Sequence, residues 1–454
     1  MPENISYNEH QIEAHAKEIA NVPTIFVIFG VTGDLAGRKL LPALLNLYVK
    51  KQLPQRFAIV GFSRRHFSRE EFRQLMRENM NIKPGQFKEE EVKHFLDHMS
   101  YEQGLFDSVE AYERLALKLK TIDDGWKQCS NKLLHLATPP SLYEVILDRI
   151  ADSGLSVPCG GDLGWTRILI EKPFGNDVET ARLLDKKLGK LFKEEQIFRI
   201  DHYLAKEAAQ NVIAFRFANA LFEPLWNRQH IDSVHIRLFE KIGIEDRGPL
   251  YDGVGALKDV GQNHVLQMLA LVAMDEPKSF DAKEIRKERA RVLSKLRKIT
   301  ARTISSVAVR GQYEGYMRER GVKPDSQTET YFRIQSSIDN ARWKGVPFFL
   351  ESGKGMAEPR VEIAVYFKNP SRKNRDASGA ERQNAITFRI QPDEGIKIRF
   401  WVKTPGYGHE GTQQIEPKTL KFRYSEVPDF GELPDAYERV LHDAVIGDQT
   451  LFAS

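Results

Sequence analysis

Between Arg199 and Glu207 the chain reads R-I-D-H-Y-L-A-K-E, so a carboxylate, an imidazole, a phenol and an ammonium fall between Asp201 and Lys206. Such a set can grip an anion and hold a proton. The apolar segment 196–199 reads as a short strand closed by Asp201, and alanines and apolar residues at helical spacing predict a helix from Leu204 to Ala218. Four polar tips thus gather at one strand-to-helix corner. His202 and Lys206 are four apart, and on a helix that begins early they would share a face and hold one anion together. Corners at the carboxyl ends of strands are where open α/β sheets bind ligands. The plainer reading is a capped helix start, with Asp201 as N-cap, His202 satisfied by backbone and Lys206 solvated.

A second polar cluster, K-D-V-G-Q-N-H from Lys258 to His264, enters the apolar run V-L-Q-M-L-A-L-V. A satisfied core histidine is one reading. Asp259, Gln262, Asn263 and His264 are nevertheless too many polar groups for a buried stripe, and each needs a partner. A carboxylate such as Asp201 would fix the His264 tautomer and raise its basicity, which suits a general base near neutral pH. Lys354, in E-S-G-K-G-M, and Arg360 add two cations, and the glycines flanking Lys354 are expected to leave it free to reach into a cleft.

The elements that must position these groups begin with T-I-F-V-I-F, Thr24 to Phe29, a strand that runs into G-V-T-G-D-L-A-G-R-K and a helix to about Tyr48. Gly30 and Gly33 let backbone approach a pyrophosphate, and the helix N-terminus offers free N–H groups. The pattern is neither GxGxxG nor a Walker loop, and a tight turn without a ligand would look similar. A second strand, Phe57 to Gly61, is followed by Ser63, Arg64 and Arg65 where an NAD-binding fold usually offers an acid, so NADP is expected, the plainer reading being an exposed loop pair of arginines. Ser68 and Glu71 form a capping box. Further strands at Lys132–Ala137 and Arg167–Gly175, with a helix from about Ser141 between them, imply a parallel, doubly wound sheet. Lys172 ends a buried strand, where it either meets an anion or snorkels outward. Pro173 forces a turn and is a candidate cis bond.

Beyond the corner the pattern changes. Val234–Phe239, Tyr331–Ile338, Val361–Phe367, Ala385–Gln391, Lys397–Val402 and Leu420–Tyr424 read as strands of an antiparallel sheet. Helices are expected at about Gly255–Met274, Ala282–Leu296 and Pro434–Ile446, the last capped by Gly447. The basic segment Lys368–Asn384 lacks aromatic residues to stack on bases and reads as a solvated hairpin tip, and Pro405–Thr412 as a flexible connector.

A chain of 454 residues suggests two domains, placed at 1–199 and 200–454. A net charge of +4 points to neither nucleic acid nor a membrane surface. The two cysteines, Cys129 and Cys159, show no metal spacing and are expected as free thiols in a reducing compartment, the cytoplasm. The polar first twenty residues carry no signal-peptide core, and no apolar window is long enough to span a bilayer.

Taken together, IFGVTGDLAGRKLLPAL, EKPFG, RIDHYLAKE, DVGQNH, RWKGVPFFLESGK, IQPDEGI and PDAYERVLHDAVIGD run in order through nearly the whole chain. This combination resembles the glucose-6-phosphate dehydrogenases. The resemblance implies a Rossmann-type coenzyme domain followed by an α+β domain with a large, mainly antiparallel sheet that carries a dimer interface, in a homodimer or dimer of dimers. It implies oxidation of glucose 6-phosphate to the 6-phosphogluconolactone with reduction of NADP, the first step of the oxidative pentose phosphate pathway. By the same resemblance His264 is the base for the C1 hydroxyl and Asp201 its orienting carboxylate. His202, Tyr203 and Lys206 take the substrate phosphate, Glu240 and Asp259 the sugar hydroxyls, and Lys172 and Lys354 lie near sugar, phosphate or coenzyme. Gly30, Thr32, Gly33, Asp34 and Lys39 match the pyrophosphate turn, and Arg64 the reader of the 2′-phosphate. Such an oxidation needs one base, one positioned acceptor and an anchor for the phosphate, with no metal.

Several positions depart from the family's usual residues: Ala205 for glycine, Gly37 for lysine, Asp246 and Pro249 for glycines, Glu351 for arginine and Ser352 for threonine or cysteine. The sequence ends at Ser454, short of the tail on which a second, structural NADP site depends, so that site is not expected. Two rival readings remain: a Rossmann oxidoreductase resembling the glucose-fructose oxidoreductase group and acting on an unphosphorylated sugar, and a non-catalytic NADPH or sugar-phosphate sensor. The anion cluster weighs against the first, since a neutral sugar leaves His202, Tyr203 and Lys206 nothing to bind. Asp201 and His264 weigh against the second.

Overall fold

The computed structural model describes residues 22–159, 164–175, 177–369, 382–405 and 415–454. Most of the Lys368–Asn384 insert, most of the Pro405–Thr412 connector and the polar N-terminal segment lie outside them. The chain divides into two compact units: residues up to His202 joined by Pro434–Ala453, and Tyr203–Leu433 with the terminal Ser454.

The first unit is built on a six-stranded sheet in the order β3-β2-β1-β4-β5-β6, and every neighbouring pair is parallel. Its strands are β1 (Thr24–Phe29), β2 (Phe57–Ser63), β3 (Met99–Gln103), β4 (Asn131–Leu136), β5 (Thr166–Ile170) and β6 (Ile197–Arg199). This is the doubly wound order of dinucleotide-binding folds. The central strands β1 and β4 are buried at every position, because helices cover both faces, and that is why they read as unbroken apolar runs. Helix α1 follows the glycine turn and is wound as a π-helix over Ala36–Leu40 before continuing as Leu41–Val49. Helix α2 (Arg69–Asn79) starts on the expected Ser68/Glu71 capping box. The helices Glu89–Asp97, Val109–Trp126 and Val178–Leu191 and the strand β3 were not expected from sequence.

The C-terminal helix Ala436–Ile446 was expected among the sheet elements of the second half but belongs to this first unit. Polar contacts tie it to helix α1: Lys50, at the C-terminal end of α1, meets Glu438 at 2.8 Å, and the Asn46 amide donates to the same carboxylate. Its far end is held by Arg167, whose guanidinium donates to the carbonyls of Ala444 and Val445, each at 2.7 Å. A cation there satisfies orphan carbonyls and the negative end of the helix dipole. Burial pushes the Arg167 pKa down to about 10. Gly447 caps the helix at φ 88°, as expected.

Cys129 and Cys159 form a disulfide, which corrects the expectation of free thiols. Only folding brings them to a Cα separation of 5.5 Å, since thirty residues part them in sequence. The bond borders a cavity of about 590 Å³ that is also lined by Lys120, Asp123 and Lys132, and by none of the expected site residues.

The second unit holds an eight-stranded sheet, β14-β13-β12-β11-β7-β10-β9-β8. Its members are β7 (Ile231–Phe239), β8 (Ala308–Gly311), β9 (Tyr331–Ser336), β10 (Phe348–Gly353), β11 (Arg360–Phe367), β12 (Ala385–Gln391), β13 (Gly395–Lys403) and β14 (Ile415–Arg423). All pairs are antiparallel except β7 with β10. Burial alternates along β7, β9, β10 and β12, the period of a sheet with unlike faces. Among the described residues no helix is long and apolar enough to cross a membrane.

Candidate active site

The turn after β1 is shaped by glycine. Gly30 has φ +81°, and a Cβ there would lie 2.5 Å from the Ala137 carbonyl oxygen. No other residue fits. The Gly30 N–H donates to the Phe62 carbonyl at 2.8 Å, and the Gly33 N–H to the Gly30 carbonyl at 2.9 Å. The chain therefore leaves the sheet in a tight loop and enters α1 with Asp34 at its start. Asp34 pairs with Arg38 at 2.7 Å, Lys39 with Asp435 at 3.4 Å, and the Thr32 hydroxyl reaches Ser63 Oγ at 3.4 Å.

The segment after β2 is pinned from β3. The Tyr101 hydroxyl donates to the Ser63 carbonyl at 2.8 Å and also to the Arg65 carbonyl, while the Gln103 amide donates to the Arg64 carbonyl at 3.3 Å. Burial raises the Tyr101 pKa, so the phenol stays a donor. Backbone is fixed while the side chains of Arg64 and Arg65 remain exposed. Lys172 follows β5 through Glu171 and enters a cis bond to Pro173, as anticipated; it is half-buried.

At the corner, β6 ends at Arg199 and Asp201 is buried. The His202 ring stacks on Tyr437 of the C-terminal helix, with centroids 6.2 Å apart and planes within 17°. Helix α7 (Glu207–Phe217) begins later than the spacing predicts: Lys206 is its N-cap, with extended backbone at φ −72°, ψ 131°. Leu204 and Ala205 are buried in a turn ahead of the helix. His202 and Lys206 therefore do not share a helical face, and Asp201 is not the cap. The N–H of Ala208 in the first turn donates to Glu394 at 3.4 Å, and Lys206 Nζ lies 3.9 Å from the same carboxylate. Burial raises the Glu394 pKa, partly opposed by Lys206. Sequence reasoning passed over Glu394, although it lies within the quoted string IQPDEGI.

The histidine segment of the second unit is a π-helix, Leu257–Val265, that runs into the α-helix Leu266–Ala273. Such winding inserts extra residues per turn and is frequent at functional sites. Gly261 lets the Phe332 ring pack directly on this segment, since a Cβ there would sit 2.6 Å from it. His264 is 2% exposed and meets the ring of Tyr203 at a centroid separation of 4.4 Å. The Asn263 amide is spent on the Asp259 carbonyl at 2.9 Å.

Lys354 closes this site at the end of β10. It is not free, as its glycine neighbours had suggested: its ammonium is 2.5 Å from Glu240 and 3.7 Å from Asp259, its side chain is 2% exposed, and it lies 5.5 Å from the ring centre of Tyr251. A buried ammonium needs such partners. Burial and the nearby carboxylates Asp259 and Glu329 raise the Tyr251 pKa, so this phenol, also missed from sequence, stays protonated. Two carboxylates held apart from each other by one cation can each accept a sugar hydroxyl, and an imidazole stands on the helix that carries Asp259.

Comparison with known proteins accounts for both units. Residues 27–211 match the model described as glucose-6-phosphate dehydrogenase, NAD binding domain, and residues 213–454 its C-terminal domain. The glucose-6-phosphate 1-dehydrogenase of Aggregatibacter actinomycetemcomitans is 42% identical over 437 residues, which cover 94% of this chain and 86% of that protein. That of Bacillus subtilis is 37% identical, covering 94% and 87%. Among solved structures, a glucose-6-phosphate dehydrogenase in complex with its substrate glucose-6-phosphate superposes with a TM-score of 0.85 at 33% identity, covering 95% of this chain and 88% of that one. The enzyme from Mycobacterium avium gives 0.80, also at 33% identity. The two matched regions together span nearly all described residues, and the chain belongs to the glucose-6-phosphate dehydrogenase family.

Proposed function

We propose that this protein oxidises D-glucose 6-phosphate to 6-phospho-D-glucono-1,5-lactone with NADP as hydride acceptor, the first step of the oxidative pentose phosphate pathway. The observation that carries the reading is the packing of Tyr203 against His264. It brings Tyr203, a member of the RIDHYLAKE string, against the histidine of DVGQNH, which supports reading the two strings as parts of one site.

Roles follow from the chemistry of each group. His264 accepts the proton of the C1 hydroxyl as the C1–H bonding pair departs as hydride and C1=O forms; Asp201 is assigned to the imidazolium that results. Glu240 and Asp259, both within ion-pair distance of Lys354, accept sugar hydroxyls, and His202, Tyr203 and Lys206 take the phosphate dianion. The glycine turn fits a dinucleotide, because Gly30 at φ +81° lets the chain turn tightly after β1 and α1 begins directly beyond it, where a helix N-terminus offers N–H groups and a positive dipole end to a pyrophosphate. Gly30, Thr32, Gly33, Asp34 and Lys39 would border the pyrophosphate, Arg64 would meet the 2′-phosphate, and Lys172 would reach toward sugar, phosphate or coenzyme. When bound, NADP supplies the nicotinamide that receives the hydride. The assignment of residues up to about 199 to coenzyme and the remainder to substrate and assembly, with a homodimer or dimer of dimers in the cytoplasm, belongs to the same proposal. Phosphate esters do not cross bilayers unaided, which favours an internal site of action.

The test is turnover of the purified chain with glucose 6-phosphate or free glucose, each with NADP or NAD, read by reduced-nicotinamide absorbance. The ester with NADP is expected to give the highest kcat/KM. Equal turnover of free glucose would instead favour the unphosphorylated-sugar oxidoreductase.

A further inference from the structure

Inside the first unit lies a buried polar cluster that the mechanism does not use. Glu171, at the end of β5, is 8% exposed. Its Oε1 lies 3.1 Å from Nε2 of His135 on β4, its Oε2 accepts from the Tyr437 hydroxyl at 3.3 Å, and its backbone carbonyl accepts from the Tyr143 hydroxyl at 2.9 Å. His135 is 2% exposed, Tyr143 2% and Tyr437 7%. A carboxylate this deep is tolerated only with donors on its oxygens, and here both are supplied.

The imidazole fixes the proton arrangement. Nδ1 of His135 is buried with no hydrogen-bond partner among the described residues. A neutral ring with its proton on Nε2 donates to Glu171 and leaves only a lone pair unmet, whereas an imidazolium would bury a second N–H without an acceptor. Burial first, and then the Glu171 charge, raise the pKa of both tyrosines, so both phenols remain donors. Glu171 is thus a fixed acceptor with three donors around it.

What this cluster touches gives it a role. Lys172 is the next residue in the chain, and the ring of Tyr437 is the surface on which His202 stacks. We propose that Glu171 is a positioning residue for substrate phosphate: through the Tyr437 hydroxyl it sets the plane of the His202 ring, and through the backbone it aims Lys172. This rests on the reading of His202 and Lys172 as ligand-binding residues. A ring held by apolar contact alone can pivot, while one tethered at its hydroxyl presents a single face.

The test compares Tyr437→Phe, Glu171→Gln and His202→Ala in the full chain by steady-state kinetics with glucose 6-phosphate and NADP, and by thermal unfolding. Tyr437→Phe keeps the stacked ring and removes the tether. It is expected to raise KM for glucose 6-phosphate roughly fivefold, the scale of one lost hydrogen bond, with kcat and KM for NADP within about twofold. Glu171→Gln should raise the same KM at least as much, and His202→Ala more than either. A purely structural role predicts instead a lower unfolding midpoint and a fall in kcat without selective loss of substrate affinity, and that result overturns the proposal. If His202→Ala raises KM and Tyr437→Phe does not, the tether is wrong while the phosphate reading stands. If His202→Ala leaves KM unchanged, the phosphate reading fails and the positioning role falls with it.

Discussion

Lys354 Nζ sits 2.5 Å from Glu240 Oε2, and this contact joins the ends of two parallel strands, β10 and β7, in a sheet that is otherwise antiparallel. Glu240 directly follows β7, Lys354 directly follows β10, and the parallel register Gly353↔Phe239 delivers them side by side. Replacing Lys354 with Met would leave two carboxylates facing each other without a cation. Breaking a fully buried pair costs about 3–5 kcal/mol, but the Glu240 side chain keeps 30% of its exposure, so a loss on the order of 2–3 kcal/mol is expected. Denaturant unfolding of Lys354→Met measures this, and the accompanying Glu240→Gln should recover part of the loss. A single variant as stable as the parent would mean that the pair is solvated.

His264→Ala should lower kcat by roughly 10²–10⁴, the range for loss of a general base, while coenzyme titration stays normal. Asp201→Asn keeps the shape and removes the charge assigned to the imidazolium, so it should lower kcat strongly and leave KM for the ester close to that of the parent. Should Asp201→Asn retain full kcat, the carboxylate has no part in proton removal.

How far these roles could be read from sequence depended on the range of the interaction. The strand, glycine turn and helix from Thr24 to Val49 were legible because a strand buried on both faces is a plain apolar run and Gly30 stands where only glycine can turn. The edge strand β3, M-S-Y-E-Q, carries polar residues at a half-exposed sheet margin and gave no period to detect. The start of α7 was misplaced because Leu204 and Ala205 are apolar for packing in a turn, which mimics helical spacing. Lys354 looked free because its partners come from β7 and the π-helix, about a hundred residues earlier. Tyr437 could not be linked to Glu171 at all, since 266 residues separate them and only the return of the C-terminal helix to the first unit brings them together.

Arg64→Ala should reduce NADP preference over NAD by about tenfold or more, because a charge-assisted contact to a phosphate contributes about 1.5–3 kcal/mol. The effect should appear in KM for NADP and leave NAD kinetics unaltered. Because Tyr101 and Gln103 hold the backbone of this segment, the variant should fold normally. Unchanged preference would transfer the role to Arg65 or remove it from this loop.

Gly37 stands where the family resemblance suggests lysine, and the structure shows contact and not merely a missing charge. A Cβ at this position would lie 2.8 Å from the Asn79 carbonyl oxygen and 2.9 Å from Asn79 Cβ. Replacing a helical glycine normally gains about 0.5–1 kcal/mol of conformational entropy, while overpacking costs about 1–3 kcal/mol. The second term wins, so Gly37→Ala should lower the thermal midpoint. A variant that melts higher would show that the end of α2 yields at little cost.

His235, on β7, provides the pH test. Burial, with Arg237 and Arg333 adding to it, pushes its pKa down to about 4 from 6.5, against a smaller opposing pull from Glu351 and Asp232. The folded protein keeps this ring neutral while the unfolded chain takes up a proton below 6.5. The unfolded state therefore binds more protons across that interval, and stability falls as pH is lowered from 6.5 toward 4. Above 6.5 the contribution is fully present. His235→Gln should flatten the pH dependence of the denaturation midpoint in this window and leave the slope elsewhere unchanged; an unaltered slope would show that His235 titrates alike in both states.

Glu351, another position where the resemblance leads to arginine, lies directly across the parallel register from Arg237 and across the antiparallel register from Arg333. Its carboxylate is 3.5 Å from the Arg237 guanidinium and accepts from the Tyr331 hydroxyl at 2.6 Å. Burial, together with that bond, pushes the Tyr331 pKa up to about 12, which keeps the phenol a donor. An arginine at 351 would face two arginines on adjoining strands and leave the Tyr331 hydroxyl without its acceptor. Directly opposed like charges reverse a cross-strand term of about 0.2–1 kcal/mol, and two such pairs with a lost hydrogen bond suggest about 1–3 kcal/mol for Glu351→Arg. Glu351→Gln removes only the attraction and should cost less. Because the difference is electrostatic at a partly exposed face, raising the salt concentration should narrow the gap between the two variants in denaturant unfolding. A Glu351→Arg protein as stable as the parent at low salt would show that the neighbouring guanidinium groups find other carboxylates, with Glu362, already 3.1 Å from Arg237, the first to test by Glu362→Gln in the same background.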